Sequence, residues 1–145
     1  MAAPLTTRYQ SVVAETVMSL MSGHSLLPVE ALLEYRSSDP YAVQVVFGVD
    51  DGPGVPWVFG RELLVEGLTR PAGTGDVQVF PASDGVRLDL SSPAGRARLL
   101  IDARVLSAFV ADTLTAVPLG TESNHLDLDQ EVTLLVALAE RDRDR

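Results

Sequence analysis

The sequence predicts one α+β domain in two halves, each running strands first and helix last. Three observations predict it. The stretch YAVQVVFGV alternates β-branched or aromatic residues with smaller or polar ones over nine positions, which is the period of a strand. Residues 103–117 instead repeat apolar side chains at helical spacing, through Val105, Leu106, Phe109, Val110 and Leu114. Between them lie short apolar runs cut by turn dipeptides, at a chain length of 145 residues that suits one core.

Residues 1–10 carry no clear period and read as a flexible N-terminus, 11–141 as the domain, and 142–145 as a solvated tail. Apolar residues crowd Val12–Ser22 without settling a period. The segment is short and stops at the turn-like SGHS, so it reads as a strand. After Pro28, Val29, Leu33 and Tyr35 can share one strand face with Glu30, Glu34 and Arg36 on the other; the same letters also fit a helix. SSDP is a turn, because Pro40 pushes Asp39 to an extended shape. YAVQVVFGV then pairs with VPWVF across DDGPG, a hairpin with Trp57 and Phe59 on its second arm.

GRELLVEGL reads as a short helix with Leu63, Leu64 and Leu68 on one side and Gly67 near its end. DVQVFP and GVRLDLSS are strands joined by the turn ASDG, and RARLLIDA is a third after SPAG. The long helix follows, ended by Pro118 and Gly120. A last helix is expected over about 129–141, with Val132, Leu135, Val136 and Leu138 as its stripe.

Charge excludes more than it suggests. Twenty acidic residues face eleven basic ones, all arginine, for a net charge of -9. Nucleic-acid binding rests on neutralising phosphates with a basic face, so this average surface argues against it. An arginine track of Arg70, Arg87, Arg96 and Arg98, with Tyr35 or Phe80 as stacking platforms, is the local exception to weigh. There is no cysteine, hence no disulfide framework and no thiolate metal site. No apolar run is long enough to cross a bilayer, and MAAPLTTRYQS lacks a secretion signal's apolar stretch, so a cytoplasmic protein is expected.

The search for chemistry finds little. AGTGDV precedes a strand, lacks the lysine of a phosphate loop, and puts Asp76 where phosphate charge would sit; it reads as a turn. In HLDLDQE, His125, Asp127 and Asp129 have the types to ligate a metal or move protons. They fit a helix start better, with an aspartate capping free N–H groups and Gln130 and Glu131 at the positive end of the dipole. His24 is far away in sequence, and no G-x-S-x-G elbow occurs. Asp50 with Asp51, Glu30 with Glu34, and Glu62 with Glu66 read as solvated acids. No catalytic residue, metal site or cofactor site is assigned. The solitary Trp57 reads as core or subunit interface before partner hot spot.

Four blocks carry a resemblance: LPVEALLEYRSSDPYAVQVVF, WVFGRELLVEGLTRPAGTGDVQVFP, LSSPAGRARL and HLDLDQE, spanning about residues 27–135. Together and in this order they resemble the SsgA-like proteins, sporulation and cell-division regulators of filamentous actinomycetes. The resemblance implies a non-enzymatic regulator or adaptor of septation, drawn from the cytoplasm to the division septum. It implies FtsZ, another division protein or a peptidoglycan-remodelling protein as partner, a fold resembling the Whirly fold, and a homotrimer. Trp57, Phe59, Arg61 and Glu62 are the residues expected at a partner or subunit interface. The Whirly likeness raises a second reading, a single-stranded nucleic-acid binder, against which the acidic balance stands.

Overall fold

The computed structural model describes residues 10–49, 52–125 and 137–139. The first half holds strands β1 (Ser11–Ser22), β2 (Ser25–Arg36), β3 (Ala42–Phe47) and β4 (Val55–Gly60), then helix α1 (Arg61–Gly67). The second holds β5 (Val77–Ala82), β6 (Gly85–Ser92) and β7 (Gly95–Ile101), then α2 (Ala103–Ala116) and a 3₁₀ turn at Glu122–His125. The strands-then-helix order expected for each half is thus present. The final helix expected over 129–141 falls outside the described residues, apart from a helical turn at 137–139.

All strands join one antiparallel sheet in the order β4-β3-β2-β1-β7-β6-β5. Each half is a meander, and the meanders meet where β1 pairs with β7 at Ser19↔Leu100 and Leu20↔Leu99. Period-2 alternation sorts side chains by face. Ala31, Leu33 and Tyr35 of β2 and Val43, Val45 and Phe47 of β3 are buried. Glu30 and Arg36 are exposed on the opposite face, with Glu34 partly covered there. The ambiguity over residues 29–36 is resolved by pairing: β2 is bonded along both edges, to β1 and β3. A helix here would leave β1 and β3 without their shared neighbour.

The inner face of the sheet and the two helices enclose a core that runs through both halves, from Leu33, Val45 and Phe59 to Leu88, Ile101 and Phe109. The sheet curls, so that Leu20, Val29, Phe47 and Trp57 face Leu90 and Leu99 across one cleft. α2 buries Leu106, Phe109, Val110 and Thr113, the i, i+3, i+4, i+7 stripe. Buried Thr113 is satisfied by donating its hydroxyl to Val110 O at 2.7 Å. Asp102 caps the helix, its carboxylate accepting from the N–H groups of Arg104 and Val105 at 2.7 and 3.3 Å.

α1 lies against β5, and Gly67 is required there by proximity: a Cβ would sit 2.2 Å from Val79 Cγ1. Its backbone angle is ordinary, so its role is close packing and not the helix-ending conformation expected from sequence. The AGTGDV loop is a chain reversal. Gly73 has φ 90° and Ala72 exchanges both backbone hydrogen bonds with Val79, at 2.8 and 2.9 Å, so the loop folds back on the strand that follows it.

Candidate interaction surface

β4 sets the positions of the residues expected at an interface. Val55, Trp57 and Phe59 pair with Phe47, Val45 and Val43, and the N–H of Arg61 bonds Tyr41 O at 2.7 Å, continuing the same parity. All four side chains therefore start toward one face of the sheet. Phe59 ends in the core, 8% exposed, and Arg61 is buried deeper still, at 2%. These two are held by their own chain and cannot offer surface to a partner, which corrects the expectation for them. Trp57 is half-buried on the open end of the same face, and Glu62 is exposed on α1. Alternation through residues 55–61 was the available signal that Arg61 would turn inward.

Arg61 joins the two halves. Its Nη1 donates to Thr113 O at 3.0 Å and Val117 O at 2.6 Å, two carbonyls at the C-terminal end of α2. Thr113 O also accepts the Val117 N–H at 2.9 Å, whereas Val117 O lies past the last bond of the helix, and a cation is favoured beside both. The guanidinium also lies 5.0 Å from the centre of the Tyr35 ring. Nη2 faces Glu122 Oε1 at 3.7 Å, close enough for charge attraction but beyond a hydrogen bond. Tyr35 donates its hydroxyl to Pro40 O at 3.0 Å. Burial pushes the Tyr35 phenol above its ordinary value, Arg61 pulls the other way, and Glu122 and Asp39 add to the rise.

Two hollows flank β4. Trp57 lines an apolar cleft of about 340 Å³ with Leu20, Val29, Phe47, Leu90 and Leu99. Beyond the other end of the strand, a groove of about 600 Å³ lies between Tyr41, α1 and Leu119, with Glu62, Glu66 and Glu122 on its walls. Here Arg70 pairs with Glu66 at 3.7 Å. Neither groove was legible as a unit from sequence, because residues 40–41, 60–66 and 119–122 come together only through the fold.

The arginine track does not form as a set. Arg87, Arg96 and Arg98 share the outer face of β6 and β7, whereas Arg70 lies at the groove beside α1. Arg87 bonds Asp89 at 3.1 Å and lies 4.6 Å from the Phe80 ring centre, occupying the face a base would stack on. Tyr35 is only 1% exposed and provides no platform. Of the acid pairs, Glu34 bonds Arg36 at 2.8 Å. Asp50 and Asp51, and Asp127 and Asp129 of HLDLDQE, lie outside the described residues, and His125 ends the 3₁₀ turn. Among the described residues there is no group of three or more His, Cys, Asp or Glu placed to hold a metal ion. None of their helices is long and apolar enough to cross a membrane.

Comparison with known proteins gives a consistent answer. The family model described as "Streptomyces sporulation and cell division protein, SsgA" matches residues 29–122. The sporulation-specific cell division protein SsgB of Streptomyces coelicolor is 50% identical over 122 residues, covering 81% of this chain and 89% of that protein. SsgB of Frankia casuarinae is 42% identical over 137 residues, covering 91% and 96%. A solved structure from work correlating mutations in SsgB with longitudinal cell division in Streptomyces coelicolor superposes with a TM-score of 0.77 at 46% identity, covering 81% of this chain and 97% of that one. The crystal structure of an SsgA-like sporulation-specific cell division protein from Thermobifida fusca superposes at 0.78 with 37% identity, covering 92% and 98%. The seven-stranded sheet and its two helices, Arg61 included, lie mostly within the matched span, and this chain belongs to the SsgA family of sporulation and cell-division proteins.

Proposed function

We propose that this chain acts in sporulation-specific cell division as a non-enzymatic adaptor that binds FtsZ, another division protein or a peptidoglycan-remodelling protein at septum sites. The observation that carries the reading is its 50% identity, over most of both chains, to a protein named for sporulation-specific cell division. The exposed apolar side chains Tyr41, Val55, Val58 and Leu119 around β4 and α1 support a docking role. Trp57 and Glu62 are the surface contribution of the expected interface. A homotrimer belongs to the same proposal.

A fluorescent fusion in sporulating filaments tests it. Regular septal bands are expected, and an even spread along the filament would overturn it. Light scattering at two dilutions tests the trimer, whose mass should be three times that of one chain at both. The single-strand reading draws support only from the outward Arg87, Arg96 and Arg98. Failure to bind an oligonucleotide even at low salt would remove it.

A further inference from the structure

We propose that the groove between Tyr41, α1 and Leu119 is a docking site for a short cationic segment of a partner protein, an arginine or lysine set beside a large apolar residue. This rests on the adaptor reading for its use in the cell and extends it by naming the surface and the partner's chemistry.

Three observations converge. The groove encloses about 600 Å³, enough for a few side chains, within the range typical of ligand sites. Tyr41 and Leu119 stand at it 51% and 54% exposed, an unusual state for large hydrophobic side chains on opposite banks of one hollow. The charge between them is negative: Glu62, Glu66 and Glu122 line the walls. The two arginines there are already engaged, Arg70 with Glu66 and Arg61 with the end of α2. The Glu62 carboxylate has no hydrogen-bonded or ionic partner among the described residues. With Arg70 set against Glu66 and Arg61 beside Glu122, Glu62 leaves the groove a net negative charge that repels an anion and attracts a cation, with the molecule's net charge of -9 steering it in.

Arg61 itself lies beneath the groove's surface. Arg61, 2% exposed, keeps Nη2 without a hydrogen bond, held 3.7 Å from Glu122. That nitrogen has no exposed surface, so a segment in the groove meets Glu62 and not Arg61. A peptide answers the groove's demands at once: apolar side chain to Tyr41 and Leu119, cation to Glu62.

The test uses the full chain and a labelled, terminally blocked pentapeptide of alternating leucine and arginine, followed by fluorescence anisotropy. Binding should weaken as salt rises. Glu62→Arg and Leu119→Ser should each weaken it by roughly tenfold. Both sites are exposed, so thermal melting is expected to confirm that the variants fold. Asp84→Arg, an equal charge change in the distant β5–β6 turn, should leave affinity within about twofold if the site and not the overall charge attracts the peptide. No binding at low salt, equal loss with Asp84→Arg, or equal binding of a matching labelled pentapeptide of alternating leucine and glutamate would each overturn the proposal. Septal bands in cells without peptide binding would leave the adaptor reading standing and remove the groove; binding without bands would do the reverse.

Discussion

Arg61 concentrates the physics at the residue scale. A buried guanidinium costs several kcal/mol in lost hydration unless its protons find acceptors. Here one nitrogen serves two helix-end carbonyls, and the planar group covers the Tyr35 ring. Lysine offers one compact charge and no flat face. Arg61→Lys should therefore destabilise the fold by about 2 kcal/mol, and Arg61→Ala by about 3–5 kcal/mol, read from urea unfolding midpoints. Tyr35 predicts a pH dependence. Its phenol is raised in the folded state, so the native protein holds that proton more tightly than the unfolded chain does. The stability it supplies is complete below about pH 10 and declines as pH climbs from there through the raised value. Tyr35→Phe should flatten this alkaline decline while losing about 1 kcal/mol at neutral pH with the hydrogen bond to Pro40. An alkaline limb unchanged in the variant would assign the decline to another group. Sequence marked Arg61 as notable but placed it outside. A charged side chain defaults to solvent, and its acceptors lie more than fifty residues away, at Thr113 and Val117.

At the scale of elements, α1 and α2 are held by different means. α1 has seven residues and no side-chain cap, too short to stand alone. Its hold is packing on β5, where Gly67 meets Val79. An alanine in a helix normally gains up to about 1 kcal/mol over glycine. Gly67→Ala should instead cost about 1–3 kcal/mol through overlap with Val79. Combined with Val79→Ala it should cost less than the sum of the two changes, as a double-mutant cycle would measure. Gly75→Ala, with no atom within 4 Å of the added carbon, should stay within about 0.5 kcal/mol of the parent. For α2 the cap is the lever: Asp102→Ala should remove about 1 kcal/mol and Asp102→Asn much less, seen in thermal unfolding. The strands and both helices were legible from period and turn residues, because those patterns are local. The cap at Asp102 is legible in the same way, as an aspartate directly ahead of the periodic run.

For the whole molecule, β1 and β7 join the two meanders through two register pairs, and one core spans both halves. Such a shared core should make unfolding a single cooperative event. Trp57 fluorescence, reporting on the first half, and far-UV circular dichroism, reporting on all of it, should give coincident urea transitions; a separation between them would mean that the halves melt independently. The order of strands and helices, the acidic surface and the family blocks were properties of the sequence itself, since each depends on residue type and short-range spacing. Which strand of one half meets which of the other was decided only by the tertiary structure, as was the gathering of Tyr41, Glu62 and Leu119 on one groove. The reason is that face and neighbour depend on contacts between segments far apart in the chain, whose free energy no local period records.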